Sequence, residues 1–276
     1  NIIKKKKNYF KLNLLSANKN YPLICQQINK YKPNYFLVND KSTFVRIKNK
    51  YIKKKTKILN NLNTKTFKKK SDITISAIPG ISGLQPTIFM TKLSKKILIA
   101  NKEAIICGWN LIKKTANKHK TKIIPVDSEH FSIMKLIENH KNEEIKKIFI
   151  TASGGPFLNF KPRRLKSITQ KEALKHPKWK MGKKITIDSS TLMNKIFELV
   201  EAQKLFNLND KQIDIIIHPE SLVHAIVELK NGLIKFIYHE TSMTIPLANA
   251  IFNDNFNINN FYKSNAKNKN KNKNKN

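Results

Sequence analysis

Hydrophobic positions along this chain fall into short runs separated by polar turns, and the runs carry two periods. Apolar and β-branched residues cluster at 10–15, 35–38, 73–78, 96–100 and 122–126, each bounded by polar residues, Gly or Pro, which predicts strands. Between them, 22–30, a segment running to Lys92 and a segment ending near Asn117 space their apolar residues as helices do. Strands alternating with helices predict a parallel, doubly wound sheet. Ligands of such sheets sit at the carboxyl ends of the strands. That is where Asn18, Lys19 and Asn20, then Gly80 to Gly83, then Asn101, Lys102 and Glu103, and finally Asp127, Ser128 and Glu129 all fall.

The second half changes character. Strands are predicted at 148–151, 184–187, 213–217 and 233–238, and a long helix at 192–206 whose N-cap cluster is Asp188 to Thr191. The expected fold class is α/β: a Rossmann-like parallel-sheet domain at 1–126, an α+β catalytic domain at 127–262, and a disordered Lys/Asn tail at 263–276. Residues 41–70 are Lys- and Asn-rich with weak periodicity, so they predict a solvated surface with helices.

Charge complicates the picture without redirecting it. Lys and Arg number 54 against 18 acidic residues, a formal charge of +36 that would suit a polyanion partner. Only Arg46, Arg163 and Arg164 are arginines, whereas base-edge readout leans on the arginine fork. The Lys, Asn and Ile excess runs through strands and helices alike, as AT-rich codons would produce. No specific nucleic-acid partner is expected, although a positive field attracts anionic small substrates. Cys25 and Cys107 lie far apart without metal spacing, which suits a reducing compartment, and no apolar run is long enough to cross a bilayer. The cytoplasm is the expected location, or a plastid-type organelle if a transit segment has been removed.

The chemistry concentrates in a few stretches. On an extended backbone Asp127 and Glu129 would share a face, and two hard oxygen donors side by side call for Mg²⁺ or Mn²⁺, although such a pair alone also fits a solvated acidic turn. Ser153-Gly154-Gly155 offers exposed amides beside a hydroxyl, either an anion nest or a tight turn. Asn194, Lys195 and Glu198 share one face of the predicted long helix. With Ser189 they would make a phosphate site at a helix start, and Glu198 would be the third carboxylate; the plainer alternative is a surface ion pair. Trp179 lies in a Pro- and Gly-bounded loop that could close over a site or simply pack. His218 and His224 suit hydrogen-bonding roles beneath it. No G-x-G-x-x-G dinucleotide loop is present.

These stretches resemble 1-deoxy-D-xylulose 5-phosphate reductoisomerase. The resemblance runs through Leu98 to Glu103, Pro125 to His130, Ser153 to Phe157, His176 to Gly182, Ile187 to Ser189, and Met193-Asn194-Lys195 with Glu198, in the family's order and spacing. It implies a divalent metal, Mn²⁺ or Mg²⁺, on Asp127, Glu129 and Glu198, and a sugar phosphate held by Ser153, His176, Ser189, Asn194 and Lys195, with Lys102 and Ser128 also touching substrate. It implies NADPH against Asn18, Lys19, Asn20, Asn101, Glu103 and Gly182, with Trp179 on a covering loop, and a homodimer. The implied reaction is rearrangement of the sugar phosphate by retro-aldol cleavage and re-addition, followed by hydride transfer to 2-C-methyl-D-erythritol 4-phosphate. Four departures accompany it. The family opens with a strand and a Gly-rich pyrophosphate loop and closes with a C-terminal helical domain, none of which is found here, and Asn18 stands at a position the family usually fills with Gly. The family's Met-Asn-Lys-Gly-Leu-Glu reads Ile196-Phe197 before Glu198 here. The expectation is a chain truncated at both ends. The alternatives are a non-catalytic remnant that still binds metal and sugar phosphate, and a basic polyanion-binding protein.

Overall fold

The apolar runs of the first half form parallel strands with helices between them, and burial on both faces is most complete in the strand at Ser94–Ile99. A computed structural model describes residues 2–67, 69–175 and 182–260. After a short helix α1 (Ile2–Lys5), the chain alternates β1 (Leu14–Ala17), α2 (Tyr21–Tyr31), β2 (Tyr35–Val38), α3 (Lys41–Lys50) and β3 (Lys57–Leu59). It continues with β4 (Ser71–Ser76), α4 (Leu84–Lys92), β5 (Ser94–Ile99), α5 (Lys102–His119) and β6 (Lys122–Pro125). All these strands pair in parallel, in two three-stranded sheets ordered β1-β2-β3 and β4-β5-β6.

The remainder comprises α6 (Ser128–Ile137), β7 (Ile145–Ala152), α7 (Pro162–Leu165), α8 (Gln170–Ala173), α9 (Lys183–Ser190) and α10 (Met193–Phe206), then β8 (Ile213–Ile217), β9 (Val223–Leu229), β10 (Ile234–Tyr238) and α11 (Thr244–Phe252). Its strands form a mixed sheet ordered β10-β9-β7-β8, in which β7 runs parallel to β8 and antiparallel to β9. The α/β class with a parallel-sheet first part is as the sequence predicts.

Alternation along β5 explains how the layers meet. Ile97 and Ile99 are fully buried in a cluster with Ala104, Ile105 and Ile112 of α5. Leu98 points to the opposite face, where it packs with Ile124, Val126, Phe131 and, from the far end of the chain, Ala248, Ala250 and Ile251 of α11. Lys96 Nζ donates to the carbonyls of Ala250 at 2.7 Å and Ile251 at 3.3 Å, capping that helix. One face of the mixed sheet buries Ile148, Ile150, Ala225 and Val227 against Ala202 of α10 and Ile133 of α6. The other face is open: Ile234, Phe236 and Tyr238 are 60–63% exposed.

Four expectations are corrected. Residues 184–187 are part of α9, because the Lys184–Asp188 pair at 2.8 Å and the Thr186 hydroxyl bond to the Gly182 carbonyl both close helical turns that outweigh β-branched propensity. Asp188 to Ser190 therefore end one helix instead of capping the next; Leu192 precedes α10 with φ 59°. Asp127 and Glu129 lie not on a strand but at the start of α6, with Asp127 as its N-cap residue. β1, β4 and β5 also begin or end a few residues from their predicted limits, while β9, α6 and α11 went unpredicted. His176, Trp179 and the tail at 263–276 lie outside the described residues.

Candidate functional site

The site is built where strand ends meet helix starts. At the β5–α5 junction Asn101 is buried: its side-chain Oδ1 accepts from the Ala104 amide at 2.6 Å, and its side-chain Nδ2 donates to the carbonyls of Ile78 and Gly80. This N-cap locks the start of α5 and aims Lys102 across the strand ends toward α10. At the β6–α6 junction the sharp turn into a helix brings Asp127, Ser128 and Glu129 to the same edge. After β7, Gly154 and Gly155 take φ of +83° and +70°, and a side-chain carbon at Gly155 would sit 2.9 Å from the Ser189 carbonyl oxygen. The glycine pair thus lets the Ser153 loop press directly onto the end of α9.

These junctions enclose a cavity of about 310 Å³ lined by Lys102, Asp127, Ser128, Glu129, Ser153, Ser189, Asn194, Lys195 and Glu198. The ligand atoms of Asp127, Glu129 and Glu198 all lie within 4.8 Å of one another. Two ammonium groups bracket them. Lys102 Nζ is 3.1 Å from Glu198 Oε1, 3.3 Å from Asp127 Oδ2 and 2.8 Å from Asn194 Oδ1. Lys195 Nζ is 2.6 Å from Glu129 Oε1 and 2.5 Å from Glu198 Oε2. Ser128 donates to Glu129 Oε2 and the Asn194 amide to Glu198 Oε1. Three hard carboxylates at this separation fit an oxygen-loving divalent ion.

Electrostatics pulls the neighbouring carboxyls apart. Burial pushes Asp127 up, yet Lys102 and His130 hold it below the usual carboxylate range. Burial, only partly opposed by Lys195, lifts Glu129 to about 7. Burial lowers Lys102 and Lys195, but the carboxylates overcome it and both are raised.

Beneath the triad lies a pair the sequence did not reveal. His130 is fully buried, with Nε2 at 2.8 Å from the Glu198 carbonyl oxygen and Nδ1 at 3.5 Å from Glu201 Oε2. Burial raises Glu201 to about 7, and burial lowers His130 less than Glu201 and Asp127 raise it. The i,i+3 spacing of Glu198 and Glu201 on one helix was the signal available. Ser221, His224 and Met243 also reach the cavity wall. His224 stacks on His239 with ring centroids 3.7 Å apart, and burial with the second imidazole lowers it to about 3.

The expected cofactor residues are distributed differently. Asn18, Lys19 and Asn20 are exposed at the carboxyl end of β1, where the Asn20 side chain caps α2 by accepting from the Leu23 amide at 3.1 Å. Glu103 pairs with Lys184 at 3.0 Å, joining the start of α5 to α9, and Gly182 is the N-cap of α9 with open space around it. None of the six lines the cavity. Ile196 points away from it at 47% exposure, and Phe197 lies beneath the Lys184 ammonium, 5.6 Å from its ring centre. The bulky pair standing where the family has Gly-Leu therefore leaves the carboxylate face intact.

The family model described as 1-deoxy-D-xylulose 5-phosphate reductoisomerase matches residues 1–108, and that of the same family's C-terminal domain matches 123–206. The chain is 51% identical over 256 residues to the 1-deoxy-D-xylulose 5-phosphate reductoisomerase of Pelagibacter ubique and 40% identical over 255 residues to that of Clostridium novyi. Each alignment covers 91% of this chain and 66% of the relative, so the chain spans just under two thirds of their length. A solved reductoisomerase in complex with NADPH, fosmidomycin and magnesium superposes with a TM-score of 0.82 at 32% identity, covering 91% of this chain and 65% of that one. The Zymomonas mobilis reductoisomerase in complex with NADPH gives 0.80 at 27% identity, with the same coverage.

Proposed function

Since the chain belongs to the 1-deoxy-D-xylulose 5-phosphate reductoisomerase family, we propose that it takes part in the NADPH- and metal-dependent conversion of 1-deoxy-D-xylulose 5-phosphate to 2-C-methyl-D-erythritol 4-phosphate. The observation that carries this is the convergence of three carboxylates, two lysines and the Ser153, Ser189 and Asn194 side chains on one cavity. Asp127, Glu129 and Glu198 would hold Mg²⁺ or Mn²⁺, which when bound supplies Lewis acidity toward the substrate's carbonyl and hydroxyl oxygens. Ser153, Ser189, Asn194 and Lys195 bind the phosphate, and with His176 they spend remote binding energy on holding the reacting carbons in register. Lys102, fixed by the Asn101 cap, bridges Asp127 and Glu198 and orients the substrate oxygens beside them. The buried His130–Glu201 pair holds the Glu198 segment from below.

NADPH would lie along the carboxyl ends of the parallel strands, against Asn18, Lys19 and Asn20, and reach Glu103 and Gly182. In this arrangement residues 1–126 serve the cofactor and 127–262 the metal and substrate. Two copies would associate through the open face of the mixed sheet. Register places Phe236, Ile226 and Phe149 side by side across three strands of that face, an apolar row of the kind that marks an interface. Cys25 and Cys107 are free thiols, which supports a reducing compartment such as the cytoplasm, and among the described residues no helix is long and apolar enough to cross a membrane. The test is NADPH oxidation by the purified chain with 1-deoxy-D-xylulose 5-phosphate and Mn²⁺. Metal and phosphate binding without turnover would leave the chain as a binding remnant.

A further inference from the structure

The six oxygens of the carboxylate triad are nearly all engaged from within the protein. Lys102 Nζ and Lys195 Nζ together contact Asp127 Oδ2, Glu129 Oε1 and both oxygens of Glu198, at 2.5–3.3 Å. The Ser128 hydroxyl takes Glu129 Oε2, and Asp127 Oδ1 lies 4.0 Å from His130 Nδ1. Both lysine side chains are buried, 11% and 9% exposed, so neither charge is screened by water. A divalent ion on the same oxygens would sit within a few ångströms of two unscreened ammonium groups. The repulsion drives the lysines off, because their long stems can swing and the ion cannot.

We propose that Lys102 and Lys195 hold the place of the divalent cation in the ligand-free protein, and that metal entry releases Lys195 to the substrate phosphate. Metal and phosphate then bind cooperatively through a lysine that changes partners. The inference rests on the metal and phosphate assignments above. Its asymmetry comes from what each lysine keeps. Lys102 retains a neutral partner on α10, Asn194 Oδ1 at 2.8 Å, when the carboxylates turn to the ion. Among the described residues Lys195 contacts carboxylates only, Glu129 and Glu198, and loses both. It stands on the same helix turn as Asn194 and shares the cavity with Ser153 and Ser189. An incoming phosphate is the group there that can take up its charge. Coupling between two ligands is reciprocal, so the phosphate must tighten the metal by the factor with which the metal tightens the phosphate.

The experiment measures a full binding cycle on the whole chain, with Mn²⁺ followed by electron paramagnetic resonance and glycerol 3-phosphate by calorimetry, in wild type, Lys195→Met and Lys102→Met. In wild type each ligand should tighten the other by about tenfold, within the usual range for coupled sites. Lys195→Met should bind Mn²⁺ more tightly than wild type, because an internal competitor is gone, and its phosphate affinity should no longer respond to metal. Lys102→Met should also gain Mn²⁺ affinity but keep the coupling. Independent affinities in wild type overturn the proposal without any variant. Coupling that survives in Lys195→Met overturns it too, because the phosphate would then be reading the metal directly. If wild type binds no Mn²⁺ at all, the metal assignment itself falls, a different outcome from bound metal without coupling.

Discussion

Alanine at Gly155 tests whether the glycine pair positions the phosphate hydroxyls or merely turns the chain. Gly155 has φ +70° and Gly232, in the β9–β10 turn, has φ +88°, but a methyl at Gly232 would meet nothing within 4 Å while at Gly155 it would lie 2.9 Å from the Ser189 carbonyl oxygen. Gly232→Ala therefore pays for left-handed backbone alone, about 1–2 kcal/mol. Gly155→Ala carries the same cost and adds overpacking against backbone, about 1–3 kcal/mol more. The neighbour that must yield is Ser189 itself, so Ser153 and Ser189 move apart. Losing one hydrogen bond to a charged oxygen costs about 1.5–3 kcal/mol, roughly ten- to hundredfold in affinity. Urea denaturation of both variants and calorimetry with glycerol 3-phosphate read the two effects separately. Equal destabilisation of the two variants, with phosphate affinity unchanged at Gly155→Ala, would refute the positioning role.

Three further outcomes are expected. Glu198→Gln removes a carboxylate between two buried ammonium groups and should lower the stability of the metal-free protein by about 3–5 kcal/mol; urea midpoints in a chelating buffer check this, and an unchanged midpoint contradicts it. His224 is lowered from 6.5 to about 3 in the folded protein, so it stays neutral there while the unfolded chain takes up a proton. Its contribution is present above the unfolded value and is lost as pH falls from about 6.5 toward 3, by roughly 4–5 kcal/mol at 1.36 kcal/mol per unit. His224→Phe should flatten that acid limb in urea midpoints taken across the range; an unaltered slope means another group carries it. Phe236→Lys should leave the fold intact and halve the mass seen by sedimentation equilibrium, and an unchanged assembly would move the interface elsewhere.

The sequence makes the donors of the site legible but not their geometry. Asp127 and Glu129 look paired because alternate residues of a strand share a face, whereas they converge because β6 ends just before them, Asp127 becomes the N-cap of α6 and Glu129 falls in its first turn. Glu198 and Lys195 are legible because helical spacing survives substitution around them, and Ile196 on the outer side shows how far that tolerance goes. His130 and Glu201 are hidden because their partnership crosses from α6 to α10, and the i,i+3 spacing of Glu201 with Glu198 does not point to His130. α9 looks like a strand because Ile185 and Ile187 alternate with polar residues over too short a span to separate the two periods. β9 is obscured by His224, a polar side chain at a buried position, and by Glu228 near its end. In the stretch from 41 to 70, α3 buries only Thr43 and Ile47, too few positions to stand out from the lysines around them.

The packing of α11 on the far face of β5 also sets a schedule for biosynthesis. Leu98, Ile124 and Val126 leave the ribosome early, but Ala248, Ala250 and Ile251, which cover them, and the carbonyls that Lys96 caps come more than a hundred residues later. At about 5–20 residues per second the wait is several seconds to half a minute. Through that interval a nascent chain carries a strand face covered only in part, by Ile2 of α1 and Phe131 of α6, and the cluster on that face closes only when nearly the last described helix has been made.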